Sequence, residues 1–221
     1  MPLQPKLNKF STASPMIASF DYYDFAEGTG VKVFYGCGTT DSVGEGTILT
    51  ATSLYADPLF TTSDDFNQAA FALEKTINFD LQVFNITKII KSIAFIDGSM
   101  SCASNAGTVA GSMYIVWTFQ HFDGDSTYTD FGTVTSETIS SSSDSTTIQS
   151  FCLDCALTET VFAKGHALRV RAQIYGRDDD PAGGGSRGRL CHDPKNRDAD
   201  PFTAATNHTS LNFHVPFDLQ Q

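Results

Sequence analysis

Leu211-Asn212-Phe213-His214-Val215-Pro216-Phe217-Asp218-Leu219 sets an apolar side chain at every second position among its odd-numbered residues. Successive side chains of a strand point to opposite faces, so this stretch has one dry face and one wetter face. The beat recurs twice. Leu168, Val170, Ala172 and Ile174 alternate with Arg169, Arg171, Gln173 and Tyr175, and Ile77, Phe79, Leu81 and Val83 alternate with Asn78, Asp80, Gln82 and Phe84. Segments built this way bury their dry faces against one another in two layers. The pattern predicts an all-β protein: an antiparallel, jelly-roll-like β-sandwich with an extended N-terminal arm and at most one or two short helices.

Nine strand-like segments are legible: 30–35, 46–54, 76–84, 88–96, 109–122, 131–139, 146–153, 167–175 and 209–219. Turn residues separate them. Asn85-Ile86-Thr87 reads as one hairpin turn. Phe122-Asp123-Gly124-Asp125 reads as another, since Asp-Gly tolerates positive φ. One helix is expected over Asp65–Lys75, capped by Ser63 or Asp64, with Phe66, Ala69, Ala70 and Leu73 on one face. Residues 1–19 read as an arm with three prolines, two lysines and no acid. The remainder, 20–221, reads as a single sandwich domain with a long loop at 177–207.

The formal charge of −11 disfavours nucleic acid and anionic membrane as partners, because both demand a basic surface. No apolar run approaches the length of a membrane-spanning helix. The opening MPLQPKLNKF lacks the apolar core of a secretory signal, which predicts synthesis without export and free thiols at all five cysteines. The triplets at Asn85 and Asn207 therefore carry no expectation of glycosylation.

Several stretches hold residues with chemical potential. Asp178, Asp180, Asp193, Asp198 and Asp200 are hard oxygen donors close in sequence, joined by Asp179 and Asn196, and make Ca²⁺ the candidate ion. They fail the EF-hand spacing, and the alternative is a solvated loop paired with Arg177, Arg187, Arg189, Lys195 and Arg197. Cys152-x-x-Cys155 with Cys191 and His192 supplies zinc-type ligands, but residues three apart on a strand face opposite ways, which favours packing. Gly183-Gly184-Gly185-Ser186-Arg187 lacks the lysine and following helix of a phosphate loop. Neither a G-x-S-x-G elbow nor an H-E-x-x-H pair is present. Trp117 lies on the apolar beat Met113, Ile115, Trp117, Phe119 and reads as core. Tyr114, Tyr128 and Tyr175 fit either stacking on a glycan or facing a neighbouring subunit.

Three segments together carry a resemblance: Phe20-Asp-Tyr-Tyr-Asp-Phe-Ala-Glu-Gly-Thr-Gly running into Val31-Lys-Val-Phe-Tyr-Gly, Phe162-Ala-Lys-Gly-His-Ala-Leu-Arg-Val-Arg-Ala-Gln-Ile-Tyr-Gly, and Cys191-His-Asp-Pro-Lys-Asn-Arg-Asp with the last strand. In texture the chain resembles jelly-roll structural proteins of tailed viruses, which decorate a capsid or sit at a vertex or tail. The resemblance implies a virion component that is not an enzyme, on the outside of the particle. It further implies a homo-oligomer, trimer or pentamer, that contacts other capsid proteins through exchanged arms. Leu3, Phe10 and Met16 are then the partner-binding residues of the arm. The alternative is a glycan- or receptor-binding sandwich that uses the 177–200 loop, with or without Ca²⁺, on a host glycan.

Overall fold

The computed structural model describes residues 29–41, 44–104, 110–142, 145–179 and 185–219. Leu3, Phe10 and Met16, with the rest of the expected arm, lie outside the described residues. The described residues form twelve strands: β1 (Thr29–Asp41), β2 (Gly44–Thr50), β3 (Phe60–Thr62), β4 (Ala72–Asp80), β5 (Lys88–Ala103), β6 (Gly111–Phe122), β7 (Tyr128–Thr135), β8 (Ile139–Ser140), β9 (Thr146–Phe162), β10 (Ala167–Asp178), β11 (Arg187–Cys191) and β12 (Asn212–Leu219).

Hydrogen bonding runs β3-β11-β5-β12-β1-β2-β4-β10-β6-β7, with β9 on the other edge of β5 and β8 beside β6. The ladders are antiparallel except at one point. There β2 and β4 run parallel and share a single pair, Ile48 with Asp80. That seam divides the order into two layers, one centred on β5 and β12, the other on β10. Their inner faces meet in an aromatic core. Trp117 of β6 contacts Phe151 of β9 and Phe213 of β12, and Phe79 of β4 also meets Phe213. Phe131 of β7 meets Phe162 of β9. Trp117, Phe79, Phe119, Phe162 and Phe213 are wholly buried, as the alternation requires.

The expected helix over Asp65–Lys75 does not form, and the described residues contain no helix. Backbone partners elsewhere explain this. The Ser63 amide donates to the Gly188 carbonyl at 2.8 Å and the Phe66 amide to the Ser186 carbonyl at 2.8 Å, which holds the stretch extended. The Phe66 ring, the anticipated helix-face anchor, instead fills the space above Gly176.

The long loop at 177–207 is also corrected. It contains β11, which pairs β3 on one side and β5 on the other. Its inward residues are Gly188 and Leu190. A Cβ at 188 would lie 2.9 Å from both Ile174 and Met113, so a larger residue there forces those side chains to shift. Asn85-Ile86-Thr87 closes no hairpin, because β4 pairs with β10 and β5 with β9, and the link crosses between layers. The second turn forms as expected. Gly124 takes φ +95°, and Asp123 Oδ1 accepts the amides of Asp125 at 2.9 Å and Thr127 at 3.3 Å.

Gly176 is the sharpest packing constraint. A Cβ placed there falls 2.2 Å from the Phe66 ring. Gly176→Ala is expected to lower unfolding free energy by about 1–3 kcal/mol in urea titration, as overpacked cores do. Pairing it with Phe66→Leu is expected to recover part of that loss.

Candidate functional site

Along β10, Leu168, Val170, Ala172 and Ile174 are wholly buried, so Arg169, Arg171, Gln173, Tyr175 and Arg177 face outward. Registers with β4 and β6 place Asp80 opposite Arg169 on one side and Tyr114 opposite Tyr175 on the other. The outer face of this layer is therefore a row of planar hydrogen-bonding side chains with aromatic rings at both ends.

At one end Arg169 donates from Nε and Nη2 to the two carboxylate oxygens of Asp80, at 2.5 and 2.8 Å. The guanidinium lies 3.8 Å from the centre of the Tyr128 ring, which stacks on Phe122 at 4.9 Å. Tyr128 remains 38% exposed. A hollow of about 220 Å³ opens here, floored by Leu81, Leu168 and Phe122. In the middle, Asp130 accepts from Gln120 Nε2 at 2.6 Å and, more distantly, from Arg171 Nη2 at 3.5 Å. At the far end Tyr175 stacks on Tyr114 at 5.2 Å, Phe71 meets Tyr114 edge-on at 4.9 Å, and Arg177 lies 5.2 Å from the Phe71 ring. Six residues of strand separate Arg169 from Tyr175, about 20 Å.

A larger cleft of about 630 Å³ adjoins the face through Asp80. It opens where β2 and β4 splay, between Thr47, Thr61, Lys75 and Asn78. Behind it Thr61 Oγ1 is 2.8 Å from Nε2 of His192, whose ring is fully buried beside Phe79. Burial holds the His192 imidazole neutral, with its pKa pushed down to about 4.

The acidic residues proposed for Ca²⁺ do not converge. Asp193 is buried. Burial pushes its carboxyl up, but hydrogen bonds from Arg197 and the amides of residues 197 and 195 outweigh this and hold it below the usual carboxylate value. Asp178 is buried and accepts the Ser186 amide. Asp198 accepts the Ala204 amide, Asp200 is exposed, and Asp180 lies outside the described residues. Asn196, at φ +54°, caps the amides of Thr209 and Ser210. These groups tie the 193–200 stretch to the body. Among the described residues no three His, Cys, Asp or Glu side chains are grouped to hold a metal. Cys152 and Cys155 face opposite ways, one exposed and one buried, and all five cysteines are free.

Tyr114, Tyr128 and Tyr175, singled out from sequence as glycan or subunit contacts, share one face. The three arginines, Asp80, Asp130 and Gln120 were missed as site residues. The polar half of the β10 beat signalled the arginines, whereas Asp80, Asp130 and Gln120 stand on β4, β7 and β6 and had no such signal.

No protein-family model matches the chain, and no curated protein does. Solved structures share the fold. An aminopeptidase from the marine sediment archaeon Thaumarchaeota archaeon superposes with a TM-score of 0.54, at 9% identity over 86% of this chain. A CocE/NonD family hydrolase from Staphylococcus aureus gives 0.51 at 6% identity over 85%, and an α-amino acid ester hydrolase gives 0.51 at 9% over 85%. The chain spans only 36–37% of the length of these hydrolases. They correct the expectation of a protein that is not an enzyme, because hydrolases carry this fold. At such identity the likeness establishes the fold and transfers no catalytic residue. Structures of infectious bursal disease virus also match, one of them at TM-score 0.26 and 11% identity, a likeness that supports no assignment.

Two measurements check the buried groups. Burial pushes the thiol pKa of Cys155 up to about 11 and of Cys191 up to about 12, and raises those of Cys37 and Cys102. Iodoacetamide at about pH 8 is expected to label Cys152 in the folded protein and the other four only after unfolding, read by intact mass. For His192, the unfolded chain takes up a proton near pH 6.5 that the folded state accepts only near pH 4. Its contribution is thus full above about pH 6.5 and is lost as pH falls toward about 4, by about 3 kcal/mol. Urea midpoints across that range are expected to fall in the parent and to flatten in His192→Gln.

Proposed function

We propose that this protein recognises an extended oligosaccharide along the outer face of β10. One observation carries the reading. Two aromatic clusters, Tyr128 with Phe122 and Tyr175 with Tyr114 and Phe71, stand about 20 Å apart with arginine, glutamine and carboxylate side chains between them. Sugar rings offer an apolar face to aromatic rings and a rim of hydroxyls to planar hydrogen-bonding groups. Asp80 and Asp130 accept from hydroxyls, and Gln173 and the arginines donate. A row of this length suits several linked rings, and the cleft beside Asp80 gives room for a branch.

The fold likeness to hydrolases is compatible with a setting in which this sandwich is one part of a larger enzyme. The tailed-virus resemblance supports another, a homo-oligomeric virion component that displays the face to a host glycan. Both settings use the same binding chemistry.

A glycan array followed by calorimetry on the best binders tests the reading. Tyr128→Ala and Tyr175→Ala are each expected to weaken binding by about tenfold with little change in melting temperature, since one stacked ring contributes about 1 kcal/mol or somewhat more. Failure of every oligosaccharide to bind at millimolar concentration would overturn it.

A further inference from the structure

Charge is unevenly distributed along this face. The chain carries a net −11, yet three of its six arginines, Arg169, Arg171 and Arg177, project from the same side of one strand. They differ in what neutralises them. Arg169 is matched by Asp80 through two hydrogen bonds. Arg171 reaches Asp130 through a single 3.5 Å contact, and that carboxylate already accepts from Gln120. Arg177 makes no ion pair among the described residues and lies over the Phe71 ring. Its neighbour in sequence, Asp178, points the other way and is buried. Direct neutralisation therefore falls from Arg169 to Arg177 along the row, with Asp179 exposed two residues beyond Arg177.

The hydrogen-bond inventory points in the same direction. The Nε–H groups of Arg171 and Arg177 are both buried without a partner. A buried donor with no acceptor is costly, and a side-chain rotation that turns it toward an acceptor on the outer face recovers that cost. A guanidinium offers a planar fork that matches the paired oxygens of a carboxylate or sulfate. Beside Arg177, the stacked rings of Tyr175 and Tyr114 supply a platform for the ring bearing that anion.

We propose that the saccharide seated here is acidic, and that its carboxylate or sulfate is read by Arg177 with Arg171. This rests on the oligosaccharide reading above and adds the charge of the ligand to it. The test is calorimetry with three probes of similar length: an oligogalacturonate, a neutral galactose oligomer and a sulfated galactose oligomer. One of the acidic probes is expected to bind at least about tenfold more tightly than the neutral one at low salt, a margin that shrinks in about 0.5 M NaCl. Which acidic probe wins distinguishes carboxylate from sulfate. Arg177→Gln is expected to abolish the margin, weakening the acidic probe by at least about tenfold more than the neutral one. Arg177→Lys, which keeps charge but loses the fork, is expected to retain part of it. Equal binding of neutral and acidic probes, or a margin that survives Arg177→Gln in a protein of unchanged circular dichroism, overturns the acidic assignment and leaves the saccharide reading standing. If none of the three probes binds but other oligosaccharides do, the acidic assignment again falls alone.

Discussion

Everything on the candidate face depends on β10 being held at the middle of its layer with one side dry. Leu168, Val170, Ala172 and Ile174 are locked into the aromatic core. β4 and β6 flank the strand in antiparallel register on both sides. With the inward residues fixed, the outward ones have no freedom of phase, because a slip of one position would exchange the two sets. Arg169, Arg171, Gln173, Tyr175 and Arg177 are thus presented on a rigid surface rather than on a loop. Rigid elements hold recognition groups in place without an ordering cost on binding.

The two outer surfaces of the sandwich have different characters. The β10 layer shows arginines, carboxylates and rings. On the other layer Ile93 and Phe95 of β5 and Val31 of β1 are exposed, among Asp97, Asp154 and His214. His214 Nε2 lies 2.9 Å from Asp97, and Asn212 donates to the same carboxylate. Three of the six arginines of this acidic chain lie on one strand, and two of them are matched there by Asp80 and Asp130.

Much of the fold was legible because the alternating segments are long. The last strand, β10 and the second half of β4 each bury every second residue, and burial is what the alternation encodes. Failures came where the chain is short or where its partner is remote. β11 has five residues and two of its inward places are Gly188 and Leu190, too little for a periodic signal. The helix expected near Phe66 carried a helix-like apolar spacing, but its backbone amides are claimed by residues more than a hundred positions away. The site divided in the same way. Its polar row was visible as the wet half of β10, whereas Asp80 lies 89 residues from Arg169 and nothing in the primary structure joins them. The aspartates from 178 to 200 misled for the opposite reason. They are neighbours in sequence, but the fold sends them to separate tasks, Asp193 to Arg197 and Asp198 to the Ala204 amide.

The parallel contact between β2 and β4 has a mechanical consequence. A single ladder pair, reinforced by Thr47 Oγ1 donating to the Asn78 carbonyl at 2.6 Å, stitches the two layers along that edge. The neighbouring antiparallel ladders run over many residues, so this is the junction along the strand order at which parting the layers breaks the fewest backbone pairs. Asp80 belongs to both places, as a member of that pair and as the carboxylate that anchors Arg169 on the outer face.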